Sequence, residues 1–486
     1  MLNIFTRYAI YAQVLLDIDM LFIDEGHAVK MKFRTCLLSK LVCTANFSKL
    51  GMLFLLILGG VSCSQPSKDS DLETKMTLVI AEHRAARLAA LYEIAPELES
   101  RLNVKLKVVE YPAPAKDYFT KLVTELRSGN APDVFSVPRD LQLDDLAAAG
   151  YLADLTSEMQ DWEGYSQLPE LIKTLTQGSF DKKNYVVPSI VAVEQLYYRH
   201  DLLTKYGIDT SQPKTLQELT QRAEQIKEKT AKYAMLFPAG LTWGMGSYTE
   251  GFRYLLAGRD DYSLLTSDGR YDLSHPALVD SFQFYADLVS NQFMPVNPLL
   301  NPEPWVIPKY EMFPNGDLMI TTCGTWCVVF DWGENSRNPI ANIDKAVATW
   351  KIPAQNGKPF VLASLVYSWA VNDKSRQKLI AKKLALAMGE VDVAIAYAKR
   401  LGNVPARMDA KYHPGYPSLG NATEAHQLLP EARAVTTTVG ASAVISGVAR
   451  ATEGLLTQRV DAKGAEDILR NYVTSVLGEE RVKGSH

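Results

Sequence analysis

The strongest constraint on what this chain can fold into is an alternation of strand-length and helix-length apolar patterns that begins at Thr77. The run TLVIA, residues 77–81, has the length of a strand, and Leu88, Leu91, Tyr92, Ala95 and Leu98 then recur on one helical face. Val104, Leu106 and Val108 alternate with Lys105 and Lys107, as in a half-buried strand. Phe119, Leu122, Val123 and Leu126 make a second helical stripe, closed by Gly129, Asn130 and Pro132 before the strand-like Val134 to Val137. Strand, helix, strand, helix, strand predicts a largely parallel sheet with right-handed crossovers, and in open sheets of this kind ligands bind outside the carboxyl ends of the strands. Further helices are predicted over residues 215–229, 276–290 and 375–388. The aromatic stretches between them, FPAGLTWGMGSYTEGFRY (237–254) and NPEPWVIPKYEMFPNG (301–316), read as loops carried on the scaffold. There is no internal repeat.

Length then divides the fold. A chain of 486 residues exceeds the roughly 250 to 300 at which single cores stop growing, so two lobes are expected. The balance of 47% hydrophobic and 22% charged residues is that of a globular protein, and a net charge of −4 disfavours nucleic acid and anionic membrane surfaces as partners. The 23 Tyr, 16 Phe and 7 Trp suit sugar stacking and core filling equally. Five cysteines do not make a disulfide scaffold. Cys323 and Cys327, spaced i, i+4 in CGTWC, could form a redox pair or half a metal site. No nearby His or Cys completes four ligands, so they read as two small buried residues.

The amino terminus reads as a targeting segment. MLFLLIL (52–58) follows Lys32, Arg34, Lys40 and Lys49 and precedes Gly59, Gly60, Val61, Ser62 and Cys63, which are the marks of a secretory signal too short to span a membrane. Small residues ending in Cys63 resemble a bacterial lipobox, implying lipidation there, although Gly60 stands where Leu is usual and ordinary cleavage near Ser62 is the alternative. The acidic residues ahead of Met31 fit a signal start poorly, so Met31 is a second candidate start. Residues 1–62 are thus read as signal and 63–75 as a polar tether.

Six blocks carry a family likeness: GNAPDVFSV (129–137), LAAAGYLADLT (146–156), YVVPSIVAVEQLYYRHDLLTKYGID (185–209), PKTLQEL from Pro213, FPNGDLMITTCGTW (313–326) and GNVPARM (402–408). In this order and spacing they resemble family 1 extracellular solute-binding proteins, the group of maltose-binding and other sugar-binding proteins. The resemblance implies a periplasmic-binding-protein-like α/β fold, two lobes with a hinged ligand cleft. It sets the crossings near residues 188–193 and 362–371, so that lobe 1 is 76–190 plus about 365–420 and lobe 2 is 191–364 plus about 421–480. It implies a non-catalytic, cofactor-free, monomeric protein, exported and membrane-anchored, that takes a carbohydrate and delivers it to an ABC permease.

Sugar capture needs flat apolar faces for the ring and polar groups for its hydroxyls. Trp326 matches the family position where an aromatic stacks on sugar, with core packing as the alternative, and Trp243 and Tyr248 are further aromatic candidates. Arg139 and Asp140 follow the strand ending at Val137, where they would project at its carboxyl end or pair in solvent. His83 follows the first strand toward the same place. Tyr367, on the second crossing, and Arg407, in the closing block, are candidate donors or lobe-holding residues. Asp133, at a turn into a strand, reads as bonding local backbone. Phosphate loops, HExxH, CxxC and GxSxG motifs are missing from the body of the sequence. A secreted glycoside hydrolase using two carboxylates, or a binder of a polyamine, phosphodiester or iron, remain the rival readings.

Overall fold

The computed structural model describes residues 75–483 apart from 113–114, 261–262 and 421 and the side chains of 115, 116 and 140, together with the backbone of a two-residue ladder at Ile23–Asp24 and His27–Ala28. Cys63 and the targeting segment around it lie outside the described residues. Among those described, no helix is long and apolar enough to cross a membrane.

The opening alternation folds as its periods dictate. β1 (Met76–His83) pairs in parallel with β2 (Val104–Tyr111), from Met76↔Val104 to His83↔Tyr111, and with β3 (Val134–Arg139) at Ile80↔Val134. The crossovers are α1 (Ala85–Leu102) and α2 (Ala115–Ser128). α1 buries Leu88, Leu91, Ile94 and Leu98, while Tyr92 is 59% exposed, so the buried stripe is turned away from Tyr92 toward Ile94. Asp133 differs from expectation. Its carboxylate accepts from the Val79 amide (2.8 Å) and the Ser375 hydroxyl (2.6 Å), tying distant segments together rather than its own turn.

Six more strands complete the sheet: β4 (Ile190–Arg199), β5 (Tyr233–Leu236), β6 (Leu318–Gly324), β7 (Val347–Trp350), β8 (Leu362–Val371) and β9 (Val404–Pro405). The order is β2-β1-β3-β8-β4-β6-β5, with β7 and β9 also paired to β4. β8 serves two partners in succession. Leu362 to Leu365 pair antiparallel with Glu194 to Val191, and Val366 to Val371 then pair antiparallel with Arg139 to Val134. At the changeover Tyr367 adopts φ +52°, a left-handed conformation uncommon for a bulky residue.

Around this seam the apolar side chains gather into two cores. One holds Ile80, Leu91, Leu122 and Phe135 with Trp369, Leu384 and Val404; the other holds Leu196, Met235, Phe282, Ile320 and Trp332 with Val448 and Leu469. α3 (Leu216–Thr230) is capped by the Thr215 hydroxyl, which accepts from the Glu218 amide, and α4 (Pro276–Ser290) starts with proline at the position where its missing N–H costs nothing. α5 (Lys378–Met388) starts later than its sequence pattern suggests, because Ser375 bonds Asp133 and receives the Gln377 amide instead of entering the helix. α6 (Val391–Leu401) follows.

The two aromatic stretches read as loops are partly helical. Ser247–Phe252 and Val306–Met312 are wide π-helical turns that run into the short helices Arg253–Ala257 and Phe313–Asn315. Ser247–Ala257 is buried at nearly every position, so no polar face marks a helical period in its sequence.

Candidate ligand site at the junction of the cores

The carboxyl ends of β1 and β3 carry His83 and Arg139, and the changeover in β8 brings Tyr367 beside them. His83 is fully buried, with its ring 4.4 Å from that of Tyr118 and 4.8 Å from that of Tyr367. Its Nδ1 lies 3.2 Å from Glu82, and burial holds its pKa below the ordinary histidine value, so the ring is neutral. Glu82 receives Arg87 through two parallel bonds, Nε to Oε1 at 2.7 Å and Nη2 to Oε2 at 2.9 Å. Burial alone would raise this carboxyl, but Arg87 and His83 offset it and the net shift is downward. The Arg87 guanidinium also sits 4.2 Å from the centre of the Tyr367 ring. His83 and Tyr367 therefore belong to a buried polar cluster under the end of the sheet.

Arg139 points the other way, toward groups of the second core. Its Nη1 donates to Glu194 at 3.4 Å, its Nη2 lies 4.0 Å from Glu250, and its guanidinium is 5.6 Å from the centre of the Trp326 ring. Glu194 is wholly buried in β4 and is matched by Arg253, by Arg139 and by the Ser364 hydroxyl at 3.1 Å. Such a carboxylate is tolerable only when its charge and lone pairs are satisfied. Glu250, on the π turn, takes Lys309 Nζ at 2.6 Å. Burial would raise it too, yet Lys309 and Arg139 hold it below the ordinary carboxylate value. The same pairing raises Lys309 despite its burial.

Trp326 is half-buried and packs against both cores. It begins the short helix Trp326–Phe330 straight after β6, with its ring folded over Gly324, where a Cβ would collide with it. Gly402, left-handed (φ +66°) at the end of α6, comes close enough that a Cβ would lie 3.1 Å from the Trp326 Cα. Trp243 is buried over Gly246, with Lys309 Nζ 5.8 Å from its ring centre. Asp331 is buried one helical turn beyond Cys327, its Oδ2 2.8 Å from the Cys327 sulfur. Burial pushes its carboxyl up to about 6 against the opposing charges of Lys309 and Arg84. Arg84, which follows β1, is itself exposed.

Of the residues singled out by sequence, Arg139 and Trp326 thus lie side by side, Trp243 is linked to them through Lys309 and Glu250, and His83 and Tyr367 share the cluster with Glu82 and Arg87. Tyr248 is fully buried within the second core. Arg407 is occupied elsewhere, by Glu390 (2.8 Å), Asp409 (2.7 Å) and the Trp162 ring. The Asp140 side chain lies outside the described set. Cys323 and Cys327 are buried, as their sequence reading expects, and the structure adds a bond between them. They are joined in a disulfide, because the strand end and the following helical turn leave their Cα atoms 6.4 Å apart, within bridging range. Sequence reasoning missed Glu194, Glu250, Arg253, Lys309 and Asp331. The available signal was a charge inside an apolar run, as in SIVAVEQLYY and PWVIPKYEMF.

The sequence profile described as bacterial extracellular solute-binding protein matches residues 93–423. YcjN of Escherichia coli (strain K12), named as an ABC transporter periplasmic-binding protein, is 22% identical over 210 residues. That is 42% of this chain and 46% of YcjN, so the chain matches less than half the length of this curated relative. The sugar-binding protein MalE from Xanthomonas citri superposes with a TM-score of 0.68 at 20% identity, over 84% of this chain and 98% of that one. Maltose-bound MalE3 of T. maritima gives 0.67 at 18% identity, over 83% of this chain and 100% of that one. The GacH receptor of Streptomyces glaucescens GLA.O, solved unliganded and with acarbose, gives 0.66 at 18% identity, over 83% and 99%. At such identities the likeness is one of fold, and it is the two-lobed α/β binding-protein fold expected from the resemblance.

Proposed function

Because the chain belongs to the bacterial extracellular solute-binding proteins, we propose that it is the capture component of an ABC importer and that its solute is a carbohydrate held at the junction of the two cores. The observation that carries this reading is Trp326: a half-buried indole in contact with both cores and flanked by Arg139. A flat apolar face beside charged donors and acceptors matches the two sides of a sugar, its C–H face and its hydroxyls. The maltose bound by MalE3 of T. maritima and the acarbose bound by the GacH receptor support the same solute class. The family and fold are those of transport binding proteins. The protein releases its solute unchanged to permease subunits, acts as a monomer without a cofactor, and is anchored through a lipidated Cys63 after export. Arg139, Trp326 and Trp243 contact the solute, with Glu250 and Lys309 fixing its hydroxyls.

Thermal-shift screening of the mature protein against a sugar panel tests this. A ligand bound only by the native state stabilises it by about 2.7 kcal/mol at a hundredfold excess over Kd. One or a few saccharides should raise Tm and be recovered intact after long incubation. No shift with any saccharide but one with a polyamine or a metal ion contradicts the carbohydrate reading, and turnover of the sugar contradicts the transport reading.

A further inference from the structure

The disulfide sits where the proposed ligand face is made. Cys323 is the penultimate residue of β6 and Cys327 the second residue of the helix that follows, so the bridge closes a loop containing Gly324, Thr325 and Trp326. The loop is held on both sides. Cys323 pairs with Gln195 in β4 and its carbonyl accepts from the Tyr254 hydroxyl at 3.1 Å, while the Thr325 amide donates to the Val193 carbonyl at 3.0 Å. The Cys327 carbonyl accepts the amides of Asp331 and Trp332, both at 3.0 Å. The sulfurs also touch the charged group: Lys309 Nζ, which binds Glu250, is 3.6 Å from the Cys323 sulfur, and Asp331 is 2.8 Å from that of Cys327. The Trp326 ring lies inside this closed loop, half-buried, folded over Gly324 and resting on apolar side chains of both cores.

We propose that the Cys323–Cys327 disulfide positions the Trp326 face, so that the junction site is complete only when the two sulfurs are joined. Forming the bond takes two electrons and two protons from the two thiols, accepted by a disulfide donor that leaves as a dithiol. Dithiothreitol reverses this through a mixed disulfide, restoring both thiols and leaving as its own cyclic disulfide. Export to an oxidising compartment is the setting in which such a bond persists. The two cysteines are positioning residues: they act on a ligand only through the indole between them.

The inference rests on Trp326 being the ligand face, but its test contains no sugar. The exported protein is denatured without reductant and alkylated with iodoacetamide. Cys323 and Cys327 should stay unlabelled, and both should be labelled after dithiothreitol. In the native state, reduction should shift the tryptophan emission to the red and strengthen its quenching by acrylamide, and the change should vanish in Trp326→Phe. A Cys323→Ser/Cys327→Ser variant should show the reduced signature without reductant; if that variant does not fold, the reduced parent protein supplies the result. Two thiols alkylated before reduction overturn the inference, as does a bound metal ion found with them. An emission change that persists in Trp326→Phe, or that arises only with loss of far-ultraviolet dichroism, also overturns it, since the bridge would then support the fold at large. Failure of the carbohydrate reading looks different: oxidised parent protein that binds no saccharide.

Discussion

Trp326 and Tyr248 are both aromatic residues in glycine-containing stretches, and their sequences alone do not separate them. One is half-buried between two cores and the other has no exposed surface, a difference made by strands and helices far away in the chain. Trp326→Ala should therefore weaken saccharide binding by about 1.5 to 3 kcal/mol, roughly 10- to 150-fold in Kd, in a protein that still folds. Isothermal titration checks this, and an unaltered Kd would move the indole out of the site. Asp331 yields a second expectation. Its carboxyl titrates near 6 in the folded chain, against 3.8 as its ordinary value. Between those values the unfolded chain has released the proton and the folded chain keeps it, so this group's contribution to stability falls as pH rises and is level above about 6. Asp331→Asn should gain stability over the parent progressively from pH 4 to 6, by at most about 3 kcal/mol. Denaturant midpoints across that range read the difference, and a flat difference contradicts the assignment.

At the scale of elements, the β1-α1-β2-α2-β3 unit was legible because strand and helix periods are local and each face is uniformly apolar. The helix of residues 276–290 was equally plain, having proline at its start and buried residues at helical spacing. The π turn Ser247–Phe252 was not, because burial on all sides removes the polar face that would reveal a period. The charged group was illegible for another reason: Lys309 and Glu250 are 59 residues apart, and a lone charge in an apolar run announces that it has a partner without naming it. The π turn is held by contact as well as by hydrogen bonds. A Cβ on Gly251 would collide with the Pro238 carbonyl oxygen and with the Tyr285 hydroxyl that donates to it. Gly251→Ala should cost about 1 to 3 kcal/mol. It should also weaken saccharide binding, because Glu250 is the neighbouring residue. A variant as stable as the parent would show that this turn can shift without strain.

For the whole molecule, the decisive arrangement is that β8 belongs to two sheet pairings in succession, with the buried Glu194 and the bridging Arg139 at the seam. The solute contacts proposed here lie on that seam: a donor at a strand end of one core, an indole and its supporting charges from the other. Neither the solute nor its class is written in the scaffold, since one fold carries many ligands and only the junction residues choose among them. The most direct measurement is native mass spectrometry of the protein purified from its exported form, followed by denaturation and identification of what is released. A saccharide, bound one per chain and released uncleaved, is the predicted result. A metal ion, a polyamine or a hydrolysed glycoside in its place would contradict the account.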